Sequence, residues 1–354
     1  TVTDSTTVTD STTVATDPDS DSVTVTPGPA GSSGIWVGSA RLAQLPTSGA
    51  AWNDVLANAN SSCGTVDLSD QEDLTNVCIM AKALVFARIG GSQYRADVVT
   101  AINQIVSAPT YNGRALSLGR ELGAYVISAD LIDLKSFNPT LDERFRTTLR
   151  TLRTTYTTGA ATSLIDSHEK RPNNWGAHAG ASRIAIAAYL GDTADLARAA
   201  QVLRGYLGDR SAYAGFEYGD DLSWQHDSTR PVGLNPVGSS RSGLSLDGVL
   251  PDDQRRGGTF TTSPPNENYA WEAMQGLLAQ AVMLERAGYE PFEWSDRALL
   301  RAARWLYYVN DFPAAADDTW QTSVLNHYYG TSFPEAVPSR PGKNVGWTTW
   351  THGS

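Results

Sequence analysis

The stretch Arg171-Pro172-Asn173-Asn174-Trp175-Gly176-Ala177-His178-Ala179-Gly180 gathers two amides, an indole and an imidazole. Pro172 forbids continuation of an upstream helix and suits a first turn. Asn173 or Asn174 is a natural N-cap. The Ala-rich run from Ala177 to Leu190 reads as a buried helix. Asn174 and His178 are four apart, so they share one face once that helix has started. Polar groups projecting from the start of a buried helix are a common way to build a site. The same residues also fit a helix cap followed by a satisfied core histidine. Spacing alone does not choose between these readings.

The elements that must position this stretch are helical. Periodicity predicts helices near 48–60, 71–90, 93–107, 115–134, 140–158, 174–190, 193–208, 267–288 and 294–309. Leu74, Val77, Cys78, Ala81, Leu84 and Val85 follow the amphipathic spacing. Gly90-Gly91, Gly191-Asp192 and Gly288-Tyr289 follow apolar periodic runs and mark helix stops. No βαβ alternation is visible, and short turns pair the helices. The expected fold is all-α, built of antiparallel helical hairpins.

Two segments break the pattern. Residues 209–266 are rich in Gly, Ser, Asp and Pro and carry Trp224 and His226; a loop of that length inside a domain is usually functional. Residues 310–350 form a second Gly/Pro/aromatic stretch. Trp175, Trp224, Trp271, Trp320, Trp347 and Trp350 lie in or beside these segments. Such rings either stack on sugars or anchor loops to the core.

With 354 residues the chain is long enough for one large domain or two ordinary ones. Residues 1–33 repeat a TVTDST-like unit and end in Pro/Gly, which reads as a disordered linker preceding a body at 34–354. The net charge is −11, from 27 basic and 38 acidic residues. Five of those acids (Asp4, Asp10, Asp17, Asp19, Asp21) sit in the linker. The balance excludes nucleic acid as the main partner, yet a local arginine cluster can still receive an acidic substrate. No apolar run reaches the length of a membrane span. No signal peptide is visible, so a mature or trimmed chain is expected. Cys63 and Cys78, with the Thr/Ser/Asp tail, suggest export and a disulfide; two buried thiols are the alternative. The five histidines are scattered without HxxxH or HExxH spacing, so neither a metal nor another cofactor is expected.

Several segments resemble the alginate-lyase superfamily of polysaccharide lyases. They are Cys63 to Gln71, Leu118 to Ile127, Arg171 to Arg183, Asp247-Gly248-Val249-Leu250-Pro251 with Arg255-Arg256-Gly257-Gly258, and Asn268 to Glu272. The likeness runs from about 50 to 350. It implies an incomplete (α/α) toroid with a loop-lined cleft. It also implies β-elimination on a uronic-acid polymer, alginate by default and a glucuronan-like polymer next. Removing the C5 proton builds charge beside a carboxylate, which must be neutralised by Asn, Arg or His. A base takes that proton, and an acid protonates the leaving oxygen on C4. A phenol titrates near 10, so a tyrosine acting as base at neutral pH calls for cationic neighbours.

Carried over by position, the resemblance implies Asn174 as carboxylate neutraliser and Arg256 and Tyr269 as the second half of the site. Trp175 stands where the family has an imidazole, and His178, one turn on, is the substitute. Arg255 or Arg256 precedes Tyr269 by more than the usual gap, so 259–265 must loop out. Arg120, Trp175, Arg255, Trp224, His226 and Trp271 are the expected substrate-binding residues. Arg120 in an apolar helix could instead pair with Glu121 or Asp130. His226 is a rival base. His168-Glu169 are expected to back the site, and Lys343-Asn344 and Tyr328-Tyr329 to shape its far wall. The whole implies a secreted or cell-surface monomeric lyase. Two alternatives stay open: a toroid glycoside hydrolase drawing on Asp220, Asp221, Glu267 and Glu272, or a non-catalytic carbohydrate-binding surface protein.

Overall fold

The computed structural model describes residues 34–108, 110–155 and 162–353. The linker at 1–33 and the end of the helix expected over 140–158 lie outside the described residues. The helices in chain order are α1 (Ser39–Gln44), α2 (Ala50–Ala59), α3 (Thr75–Ile89), α4 (Ser92–Ser107), α5 (Ala115–Leu131), α6 (Leu134–Phe137), α7 (Pro139–Thr154), α8 (Leu164–Lys170), α9 (Asn174–Leu190), α10 (Thr193–Tyr206), α11 (Pro251–Gln254), α12 (Asn268–Arg286), α13 (Trp294–Arg304), α14 (Trp320–Tyr329) and α15 (Thr348–Thr351). A two-residue hairpin, Ser240–Arg241 with Leu244–Ser245, is the one sheet among the described residues.

The fold is an incomplete (α/α) toroid. Its inner wall is α3, α5, α9 and α12, each packed on the next, while α4, α7, α10 and α13 return along the outside. The inner helices run parallel. Gly119 and Gly123 of α5 face Ala179 and Ser182 of α9, and Gly276 and Gln280 of α12 face Ala177 and Gly180. Glycine is required at two of these crossings. A Cβ on Gly119 would lie 2.8 Å from the Ala179 nitrogen, and one on Gly276 would lie 2.4 Å from the Ala177 carbonyl carbon. The Ala-rich sequence of α9 therefore serves close approach on two sides, and nearly all of the helix is buried.

No further inner hairpin follows α12. The C-terminal segment bridges the ring instead: Trp347 Nε1 donates to the Val77 carbonyl and Trp350 Nε1 to that of Pro46. Cys63 and Cys78 form a disulfide, with Cα atoms 5.5 Å apart, that ties the 64–74 loop to α3. In the chain-entropy view a loop of this size adds about 3 kcal/mol.

All nine expected helices are present; their described ends shift by four residues or fewer, except that Trp305–Val309, at the end of the helix expected over 294–309, forms a π-helical turn. Two irregular segments hold more order than expected. Residues 310–350 contain α14, whose stop at Gly330 takes a left-handed φ of 63°. Residues 209–266 contain the hairpin and α11. The helix α8, capped by Ser163 through the Asp166 amide, carried a legible S-x-x-D signal.

Candidate active site

Because the inner helices are parallel, their N-termini open at one end of the toroid. The positive ends of four helix dipoles meet there, a setting that favours anions. Arg120, Asn174, His178, Tyr269 and Glu272 all fall in the first two turns of α5, α9 or α12.

The rim is built on α11. Asn173 caps α9 through the Trp175 amide, and its Nδ2 donates to Asp252 at 2.8 Å. The Asn174 N–H donates to Asp253 Oδ1 at 3.0 Å. Asp253 thus holds the positive end of α9 by its backbone, Asp252 holds the side chain of the cap, and the Asn174 side chain is left uncommitted. No hydrogen bond engages that amide, and Oδ1 is buried without a partner. That oxygen is available to accept a hydrogen bond. Asp253 is fully buried and its carboxyl is pushed well up by desolvation, then by Asp252, although the Asn174 amide and the Arg256 charge oppose this. Arg256 is exposed, with its guanidinium carbon 4.9 Å from the ring centroid of Tyr269. Tyr269 is 40% exposed, an unusual degree for an aromatic on an inner helix. The residues between Arg256 and Tyr269 do loop out, which allows this pair to form.

The floor is different. Arg120 is 4% exposed and binds Glu272 at 2.5 Å and Glu72 at 3.1 Å. Glu72 also pairs with Lys343, which faces Asp317. His178 is fully buried, with Nε2 3.6 Å from Glu272 Oε2. Burial holds its imidazole below the usual range and so neutral, against the pull of Glu272. Burial also lifts the Glu272 carboxyl, but His178 and Arg120 outweigh it and the net shift is downward. Nearby, Asp318 is pushed up to about 8 by burial while accepting from Gln275 and Gln321.

Several expected site residues stand elsewhere. Arg120 pairs with neither Glu121 nor Asp130; both of its carboxylates come from distant segments. His178 shares the Asn174 face, yet it lies beneath the Arg120–Glu272 pair and does not reach the cleft. Trp224 and Trp271 are fully buried, so neither ring is a stacking surface. Trp224 donates to the Gly258 carbonyl and packs edge-on against Phe260; Trp271 donates to that of Phe312. Both are anchors. Arg255 is bound to Asp252 at 2.7 Å and packed on Gly219, so it straps the rim together. His226 is exposed, and its backbone N–H donates to Asn235 Oδ1. His168 and Glu169 meet Arg183 in a separate ionic cluster. Tyr328 and Tyr329 pack on Phe292, beyond the far end of α12. Lys343 does reach the floor. Asp252, Asp253 and Glu72 were missed, because nothing in their local spacing announces partners roughly fifty to eighty residues away.

A protein-family model described as alginate lyase matches residues 114–215, from α5 past α10. Over that segment, less than a third of the chain, the sequence is similar to the alginate lyases. The matched segment carries Arg120, Asn174 and His178; Arg256 and Tyr269 lie outside it. Among solved structures, an alginate lyase from Bacteroides ovatus is similar at 12% identity with a TM-score of 0.46, over 75% of this chain and 69% of that one. No curated protein matches. Among the described residues, no helix is long and apolar enough to cross a membrane.

Proposed function

We propose that the chain is a polysaccharide lyase that cleaves an anionic uronan, alginate or a glucuronan-like polymer, by β-elimination at the rim. One observation carries the reading. A buried Asn174 amide without a hydrogen-bond partner sits on Asp253 through its backbone, and the exposed Arg256–Tyr269 pair stands near enough for the Arg256 charge to act on that same carboxyl. Asn174 binds the carboxylate beside C5, where negative charge grows as the proton leaves. Arg256 holds a permanent positive charge against Tyr269, so charge arriving on the phenol oxygen is opposed locally. The base takes the C5 proton, that electron pair forms the C4–C5 double bond, and the C4–O bond breaks. The departing oxygen takes a proton, and Tyr269 is the group placed to supply it. His178 positions Glu272 from below and does not touch substrate. The described residues act as one catalytic unit, monomeric and exported, with 1–33 as a tether.

The hydrolase alternative loses support. Glu272 is locked to Arg120, and Glu267 caps α12 through the Tyr269 amide at 3.1 Å. A purely binding role needs exposed indole platforms, and Trp224 and Trp271 are not exposed. The deciding assay incubates the protein with polymannuronate, polyguluronate, glucuronan and a neutral glucan, following ultraviolet absorbance of the unsaturated product. Absorbance growth on a uronan supports elimination. New reducing ends without absorbance, or no product at all, defeats it.

A further inference from the structure

Arg171 is the cation next to Asn174 that this elimination leaves unused. Its guanidinium carbon lies 4.6 Å from the ring centroid of Trp175, and both side chains are half-buried. No carboxylate lies within 4 Å of it among the described residues, whereas Arg120, Arg183, Arg255 and Arg301 are each ion-paired. Its backbone is fixed. The Arg171 N–H donates to the Ser167 carbonyl at 3.1 Å, and its own carbonyl sits over Gly176, where a Cβ would be 2.0 Å away. Its nearest acidic neighbours are engaged elsewhere. Asp252 serves Asn173 and Arg255, and Glu217 faces Lys170 at 3.7 Å. A guanidinium held on an indole, partly desolvated and without an anion, is a prepared carboxylate receptor.

We infer that Arg171, supported by Trp175, is a second uronate subsite that binds the carboxylate of the sugar adjoining the one held at Asn174. The inference rests on the uronan-lyase reading and deepens it. The substrate class becomes a polymer charged on neighbouring sugars, and Arg171 becomes a specificity-determining residue. A chain with isolated uronates between neutral sugars would gain only one of the two contacts.

The test uses Arg171→Gln and Arg171→Lys, each on the full chain and also combined with Tyr269→Phe for equilibrium binding. The probes are a saturated tetrauronate and its carboxyl-reduced counterpart. Arg171→Gln is expected to raise KM about tenfold while kcat falls less than twofold, with Arg171→Lys intermediate. In the Tyr269→Phe background the Kd for the tetrauronate should rise about tenfold, and that for the reduced oligomer should not move. A KM that stays put, or an equal loss for charged and reduced oligomers, overturns the subsite while leaving the lyase reading intact. Tetrauronate binding through Arg171 without cleavage of any uronan keeps the subsite and defeats the lyase reading. Neither cleavage nor binding defeats both.

Discussion

Two arginines at the same end of the toroid illustrate two uses of one side chain. Arg120, on the floor, is buried and bound by two carboxylates from segments far away in sequence. Arg256, on the rim, is exposed, has no carboxylate within 4 Å and rests against Tyr269. The floor arginine is already neutralised, so it holds helices and loops together. The rim arginine keeps its charge for an incoming anion. A residue type and a nearby helix N-terminus do not distinguish these roles; the presence of a buried counter-charge does.

The comparison breaks or sharpens through four substitutions. Tyr269→Phe removes a proton donor without touching the fold. It should lower kcat/KM by up to about 10⁴-fold with an unchanged denaturation midpoint. Retained activity on the preferred uronan would strip the rim of its acid. Arg120→Met does the reverse. It leaves Glu272 without its cation in a buried site and should cost roughly 3–5 kcal/mol in urea unfolding, any activity loss following the loss of folded protein. A stable Arg120→Met enzyme with collapsed turnover would move Arg120 from the floor to the cleft.

Asn174→Ala tests the rim again. The side chain makes no hydrogen bond, and its backbone N–H still reaches Asp253. Turnover should fall about 10²-fold with little change in melting temperature. A large destabilisation would instead make Asn174 a structural cap.

The smallest effect concerns Glu121, the neighbour of Arg120 on α5. Its carboxyl is buried with neither oxygen partnered, and burial, followed by Asp73 and Asp70, pushes it up to about 10. A carboxyl raised in the folded state stabilises fully below its unfolded value near 4.5, and that contribution is lost as pH climbs towards 10. Glu121→Gln should therefore match the parent protein at pH 5 and melt a few degrees higher at pH 9. Parallel melting curves at both pH values would show that Glu121 finds a counter-charge, as Arg120 does.

Much of this was legible early. The helical period fixed nine helices because amphipathic spacing is a local property, and glycine stops marked their ends. The Arg171–Gly180 stretch and the Arg256/Tyr269 combination were both visible as residue types. What failed were the judgements that need a third dimension. Trp224 and Trp271 looked like sugar platforms because aromatic rings in and beside loops carry no sign of which way they face. His178 looked like a base because it shares a helix face with Asn174, yet one further turn took it beneath the floor.

The sequence by itself determined the helices, the expectation of a disulfide and the likeness to a lyase family, since each is encoded in neighbours or fixed spacings. Only the tertiary structure decided which charges are spent and which are free. Asp253 reaches Asn174 across 79 residues and Glu272 reaches Arg120 across 152. Electrostatic neutralisation depends on distance through space and on excluded water, and chain order records neither.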